Sequence, residues 1–86
     1  MNLVISPLFK EKVAIFSPQI KELIKKKLLL FIDNPKHPSL QSKKIEGRDN
    51  IFEARINLEI RFTWQYGDDC IILRNIGYHD PTLKKP

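Results

Sequence analysis

The sequence predicts a small α+β domain: an N-terminal strand, a helical hairpin, then a three-strand antiparallel meander. Three observations carry this prediction. The dipeptide Ser-Pro occurs at Ser6-Pro7 and again at Ser17-Pro18, each time ahead of apolar residues at helical spacing. From Ile51 onward the apolar period falls from about 3.6 to about 2. The run Tyr66-Gly67-Asp68-Asp69-Cys70 is a hairpin signal inside that alternating region. At 86 residues the chain suffices for one modest core and not for two. The reading is therefore one domain over residues 1–86.

Each element has its own warrant. Residues Asn2 to Ser6, NLVIS, are short and apolar and read as a strand. Ser6 caps a first helix with Pro7 at its first position, and Leu8, Phe9, Val13 and Phe16 give that helix a buried stripe. Ser17 and Pro18 repeat the pattern. Ile20, Leu23, Ile24, Leu28 and Phe31 follow, with Lys21, Lys25 and Lys26 mostly opposite. The helix should stop near Asp33, because the prolines in DNPKHP disfavour helix at Asn34 and His37. SLQSKKIEGRDN reads as a loop with a short ordered middle.

Three strands then follow at about residues 51–57, 60–66 and 70–76. If Arg55 faces Arg61 across the first pair, the loop between them is Asn57-Leu58-Glu59. Asn57 would suit a left-handed backbone there. The tail GYHDPTLKKP leaves the sheet at Gly77. Two helices can cover one face of so small a sheet. Phe52, Ala54, Ile56, Phe62, Trp64 and Leu73 should point at them, which assigns Phe62 and Trp64 to packing rather than to base stacking. Arg55, Arg61 and Thr63 have the other parity and face away. CIILRNI is apolar on both parities, so the direction of Arg74 is open.

Hydrophobic residues make up 42% of the chain and charged residues 29%, a balance that folds rather than staying disordered. The net charge of +5 invites an anionic partner, whether nucleic acid, an acidic protein or a membrane surface, or serves solubility alone. Cys70 is the only cysteine, so no internal disulfide forms and a reducing cytosol is the simple reading. One cysteine and two distant histidines argue against structural zinc, and no cofactor is implied. The N-terminus lacks the basic start, long apolar run and cleavage site of a signal peptide. Three lysines interrupt LIKKKLLLFI, which therefore does not span a bilayer.

The C-terminal half resembles the RelE/ParE toxin superfamily of toxin–antitoxin systems. In those toxins a K-L-x-G turn precedes a strand carrying an aromatic and a basic residue. A Y/H-R-L-V-Y strand follows, then an exit of the form hydrophobic-Gly-x-Arg/His. The corresponding text here is KKIEG, IFEARIN, EIRFTWQY and NIGYHD, in that order. The resemblance implies a compact toxin held silent by a cognate antitoxin. RelE-like branches cut mRNA, usually in the ribosomal A site, without a metal. ParE-like branches instead poison DNA gyrase.

RNA cleavage of this type needs a base for the 2′ proton, cations for the phosphoryl oxygens and an acid for the 5′ leaving oxygen. Arg61 matches the arginine of the Y-R-L-V-Y strand, and a guanidinium suits phosphate oxygens. A salt bridge with Glu53 or Glu59 is its structural alternative. Arg55 matches a second basic position and would hold substrate phosphate, or stand as a solvated strand charge. His79 lies two residues after Gly77, where the resembling toxins carry arginine or histidine. The YafQ branch has a catalytic histidine in a similar ending, so the resemblance makes His79 the acid, with Asp80 orienting it or only capping the tail.

Lys43 and Lys44, placed just ahead of the sheet, together with Arg74, Lys84 and Lys85, extend the positive surface toward mRNA and ribosomal RNA phosphates. Solvated charges are the bland alternative for these residues, and for Lys25 to Lys27, which could equally border an antitoxin groove. His37 reads as a surface residue of a Pro-flanked loop. The tyrosine that several RelE-like toxins carry near the C-terminus is missing. The general base is not evident, with Glu53 and Glu46 as the guesses. These departures keep a second reading open, a non-catalytic ParE-like gyrase inhibitor or an inactive antitoxin-binding relative.

Overall fold

The computed structural model describes residues 2–79, Thr82 and Pro86. The elements run β1 (Asn2–Ile5), α1 (Pro7–Ala14), α2 (Pro18–Asp33), a 3-10 turn (Pro38–Leu40), β2 (Lys43–Lys44), β3 (Ile51–Arg55), β4 (Ile60–Gly67) and β5 (Cys70–Tyr78). Both helices start as the Ser-Pro pairs dictate. Ser6 Oγ accepts from the Phe9 amide at 3.1 Å and Ser17 Oγ from the Ile20 amide at 3.3 Å, satisfying donors that the first turn would leave bare. Asn34, an extended residue ahead of Pro35, ends α2. Among the described residues no helix is long and apolar enough to cross a membrane.

The sheet is larger than the sequence suggests. Five strands pair in the order β1-β5-β4-β3-β2. β1 lies parallel to β5, from Asn2 beside Cys70 to Ile5 beside Leu73. The other pairs are antiparallel, so the predicted meander is present with one strand added at each side. Lys43 and Lys44, expected ahead of the sheet, are its edge strand, paired with Glu53 and Phe52. Two residues are too few to display a period, which is why the sequence shows a loop with a short ordered middle there and no strand.

Arg55 does pair with Arg61. The turn that joins them works differently from the expectation. Asn57 does not take positive φ. Its side-chain oxygen accepts from the Glu59 and Ile60 amides, at 2.9 and 2.8 Å, and so closes the turn through a side chain rather than a left-handed backbone. The positive-φ non-glycine residues of the described chain are Gln41, Asn50 and Asp69.

The core lies between the helices and one face of the sheet. Phe9, Ile24, Phe31 and Leu40 meet Ala54, Ile56, Phe62, Trp64, Leu73 and Ile76, all buried. Phe31 sits edge-on to Phe62 and Trp64, with ring centres 5.2 and 5.1 Å apart, and Phe52 stacks on Trp64 at 4.5 Å. Each such side chain contributes about 1.5–3 kcal/mol of burial. Phe62 and Trp64 are thus packing residues, as their parity predicts.

The double parity of CIILRNI has a physical cause. Trp64 pairs with Leu73, but Thr63 pairs with Asn75. Arg74 is the extra residue of a β-bulge and resets the alternation by one. Ile71 and Leu73 reach the core before the bulge and Ile76 after it.

Candidate functional site

The face away from the helices is built from cross-strand rows. Arg55, Arg61 and Gly77 form one, and Glu53, Thr63 and Asn75 the next. Ile51, Gln65 and Ile72 form the third. Two arginines directly opposite each other are unfavourable unless an anion or a polar partner answers them.

Part of that answer comes from the chain itself. Arg61 is only 6% exposed. Its Nη1 donates to the carbonyls of Asn57 and Leu58 at 2.7 and 2.8 Å, and its buried Nε has no hydrogen-bond partner among the described residues. Burial, then the neighbouring Arg55, push its pKa below the arginine range, while Glu53 pulls it back. It remains a cation. The salt bridge to Glu53 or Glu59 considered from the sequence does not form among the described residues. Arg61 is a fixed charge with one amino group spent on the turn, not a free fork. Arg55, half-buried, is its more accessible counterpart.

His79 follows the end of β5 and is exposed, with its amide donating to the Glu59 carbonyl at 3.0 Å. That bond ties it to the same turn that Arg61 holds, so Arg55, Arg61 and His79 gather at one end of the face. Asp80, Lys84 and Lys85 lie outside the described residues.

The two lysines of β2 part company. Lys43 shares the row of Glu53 and stands 4.0 Å from its carboxylate. Lys44 pairs with Phe52 and takes the opposite side. With Lys36, Lys43, Phe52, Trp64 and Tyr66 it lines a cleft of about 460 Å³. Lys44 therefore does not extend the arginine-bearing face. Glu53, a guess for the base, is on that face but buried, and Glu46 is exposed in the β2–β3 turn. His37, expected at the surface, is half-buried. Its Nδ1 accepts from the Ser39 amide at 3.1 Å and so caps the 3-10 turn.

The middle of the face is not open, contrary to the reading in which the tail departs at Gly77. β5 continues to Tyr78, and the chain returns. The Pro86 main-chain oxygen accepts from Thr63 Oγ1 at 2.8 Å and from Arg74 Nε at 3.0 Å. Buried Thr82 passes so near Gly77 that a Cβ there would lie 2.6 Å from its Oγ1. Thr63 and Asn75 are consequently buried at 0% and 2% exposure. Arg74 Nη1 also bonds the Gln65 side-chain oxygen.

Arg48 was missed. It sits in the β2–β3 turn and lines a 560 Å³ pocket with Ser6, Ile72, Arg74 and Pro86. The sequence shows it only as one charge within a loop, and nothing local points it toward Arg74.

No protein-family model matches the chain, and no curated protein matches it in sequence. Solved structures do match. The YoeB/ParE toxin from Agrobacterium tumefaciens superposes with a TM-score of 0.77 at 16% identity, over 92% of this chain and 99% of that one. YafQ from E. coli gives 0.76 at 14%, over 93% and 94%. The RelB–RelE antitoxin–toxin complex from Methanococcus jannaschii gives 0.72 at 20%, over 87% and 88%. The fold is that of the RelE/ParE toxins.

Proposed function

We propose that the protein is the toxin of a type II toxin–antitoxin pair and a metal-independent endoribonuclease acting on mRNA in the cytoplasm, at the ribosomal A site. The observation that carries this reading is the Arg55–Arg61 pair, on the face away from the core and tied through one turn to His79. Like charges in register favour an anion, and a bridging phosphate supplies one. In this reading Arg55 binds the scissile phosphate, and Arg61 stabilises charge developing on its oxygens as a preorganised cation. His79 protonates the 5′-oxygen that leaves when the 2′-oxygen attacks phosphorus. The test is translation in a cell-free extract with primer extension on the reporter mRNA. Codon-phased cuts that disappear with His79→Ala support it, and translation without cuts overturns it.

A second reading, a non-catalytic gyrase inhibitor or antitoxin-binding relative, draws on one observation. Arg61 is partly spent on the Asn57 and Leu58 carbonyls, and among the described residues no carboxylate forms an ion pair with it. Gyrase-dependent DNA damage without translation arrest would favour it.

The antitoxin has a candidate seat. Between β1, α1 and α2 runs an apolar groove of about 390 Å³ floored by Leu3, Phe9, Ile24 and Leu28. Lys10, Lys21 and Lys25 rim it, and Leu29 and Ile32 stand exposed beside it, at 60% and 53%. An amphipathic helix with acidic flanks fits this chemistry, its apolar stripe in the groove and its carboxylates on the lysines. The lysine run of α2 thus reads as a groove border as well as a solvated face.

A further inference from the structure

We propose that Lys12 is a third substrate-binding cation of the Arg55–Arg61 site, holding the RNA backbone at the Gly77 end of that row. This rests on the ribonuclease reading and adds a residue to it. Lys12 belongs to α1, in the other layer of the molecule, and no sequence pattern joins it to the arginine-bearing face. The tertiary placement does. Arg61 stands directly across from Gly77, and residues paired across a ladder share a face. A Cβ on Gly77 would therefore point to the arginine side, and Lys12 Nζ lies 3.8 Å from that position. Gly77 does not take positive φ, so its missing side chain serves space rather than backbone. Buried Thr82 takes one part of that space, and the Lys12 ammonium borders another.

The route of Lys12 to this place is fixed by the fold. β1 pairs with β5 only as far as Leu73. Beyond it the outer edge of β5 has no strand beside it among the described residues, and α1 packs against β5. Contacts at both ends anchor that helix. Ser6 Oγ, at its start, donates to the Arg74 carbonyl at 2.7 Å, and Phe16, just past its end, meets Tyr78 with ring centres 6.4 Å apart. Phe9, one turn before Lys12 on the same side of the helix, is buried edge-on to Phe62. The half-buried Lys12 side chain thus runs past the open edge of the sheet with its stem packed and its charged head toward water. Among the described residues no carboxylate forms an ion pair with it. Neighbouring strands stand about 4.8 Å apart, so Gly77, Arg61 and Arg55 span about 10 Å and Lys12 lengthens the row at one end. An ammonium is a compact point charge with three rotatable donors. It suits a backbone phosphate flanking the reacting one, which needs holding but not a fixed orientation.

The experiment uses the full chain and a fluorescent 2′-O-methyl oligoribonucleotide, whose blocked 2′-oxygen prevents cleavage. Anisotropy is followed over a series of salt concentrations for wild type, Lys12→Gln, Lys12→Arg and Arg55→Ala, with the thermal midpoint of each. Lys12→Gln is expected to lose affinity several-fold, with the slope of log K against log salt shallower by about 0.7, the loss of one phosphate contact. Lys12→Arg keeps the charge and should keep the slope. Lys12 also lies in the last turn of α1, where a cation answers the helix dipole. If that is its whole role, Lys12→Gln lowers the thermal midpoint and leaves the slope at the wild-type value, which overturns the proposal. Unchanged affinity and slope in Lys12→Gln, with Arg55→Ala weakened, also overturn it and leave the ribonuclease reading standing. A wild type that does not bind the oligonucleotide overturns both.

Discussion

Arg61 and Asn57 hold each other's surroundings in place: the guanidinium donates to the Asn57 carbonyl at 2.7 Å, and the Asn57 side chain closes the turn that presents it. The same turn receives the His79 amide at the Glu59 carbonyl. The catalytic role proposed for Arg61 is therefore joined to a structural one, and experiments must separate them.

Arg61→Ala is expected to lower stability by about 2 kcal/mol, because two charge-assisted bonds to the turn disappear. Cleavage should be lost as well. Arg61→Lys keeps the charge but not the planar donor geometry, so it should recover part of the stability and little of the activity. Denaturant midpoints measured beside cleavage rates will show whether the two losses move together or apart.

His79→Ala should behave in the opposite way. The side chain is exposed beyond the end of β5, and the main-chain bond to Glu59 survives the substitution. Thermal unfolding should stay close to wild type while mRNA cuts vanish. A His79→Ala protein that still arrests translation at codon-phased sites removes the assignment of the acid.

Asn57→Ala removes the acceptor of two amide donors in a tight turn. A loss of about 1–2 kcal/mol is expected, with reduced cleavage from the displaced Arg61. Asn57→Asp retains the acceptor and should restore most of the stability.

Gly77→Ala places a methyl group 2.6 Å from the Thr82 hydroxyl. The returning chain must shift, at a cost of about 1–3 kcal/mol. Protease susceptibility of the C-terminal peptide should rise while that of the core strands stays low.

Leu29→Glu sets a carboxylate at the edge of the apolar groove, where an acidic partner helix would meet it. Leu29 is 60% exposed, so the isolated protein should fold as before. Its complex with the product of the neighbouring reading frame, followed by sedimentation, should weaken or fail to form.

Much of the fold was legible because it depends on local signals. Ser-Pro pairs start both helices, alternation marks Phe52, Ala54, Phe62 and Trp64 as inward, and the supposition that Arg55 faces Arg61 gives the three-residue loop. What escaped depends on contacts distant in sequence. β1 finds β5 across nearly the whole chain, and β2 is two residues long. The bulge at Arg74 exists only by comparison with the partner strand. The site divides in the same way: parity put Arg55 and Arg61 on one face, but the burial of Arg61, the return of Pro86 to Thr63 and the nearness of Arg48 to Arg74 arise from tertiary placement.

The bulge has an evolutionary reading. Leu73 keeps Trp64 as its partner, and Asn75 keeps Thr63, whether or not a residue stands between them. Arg74 is supernumerary to the ladder, so a change of one codon in length, rather than a substitution, suffices to give or take a cation on that face. The charge of the face away from the core can in this way be retuned by insertion and deletion without a change in the core pairings on either side of the bulge.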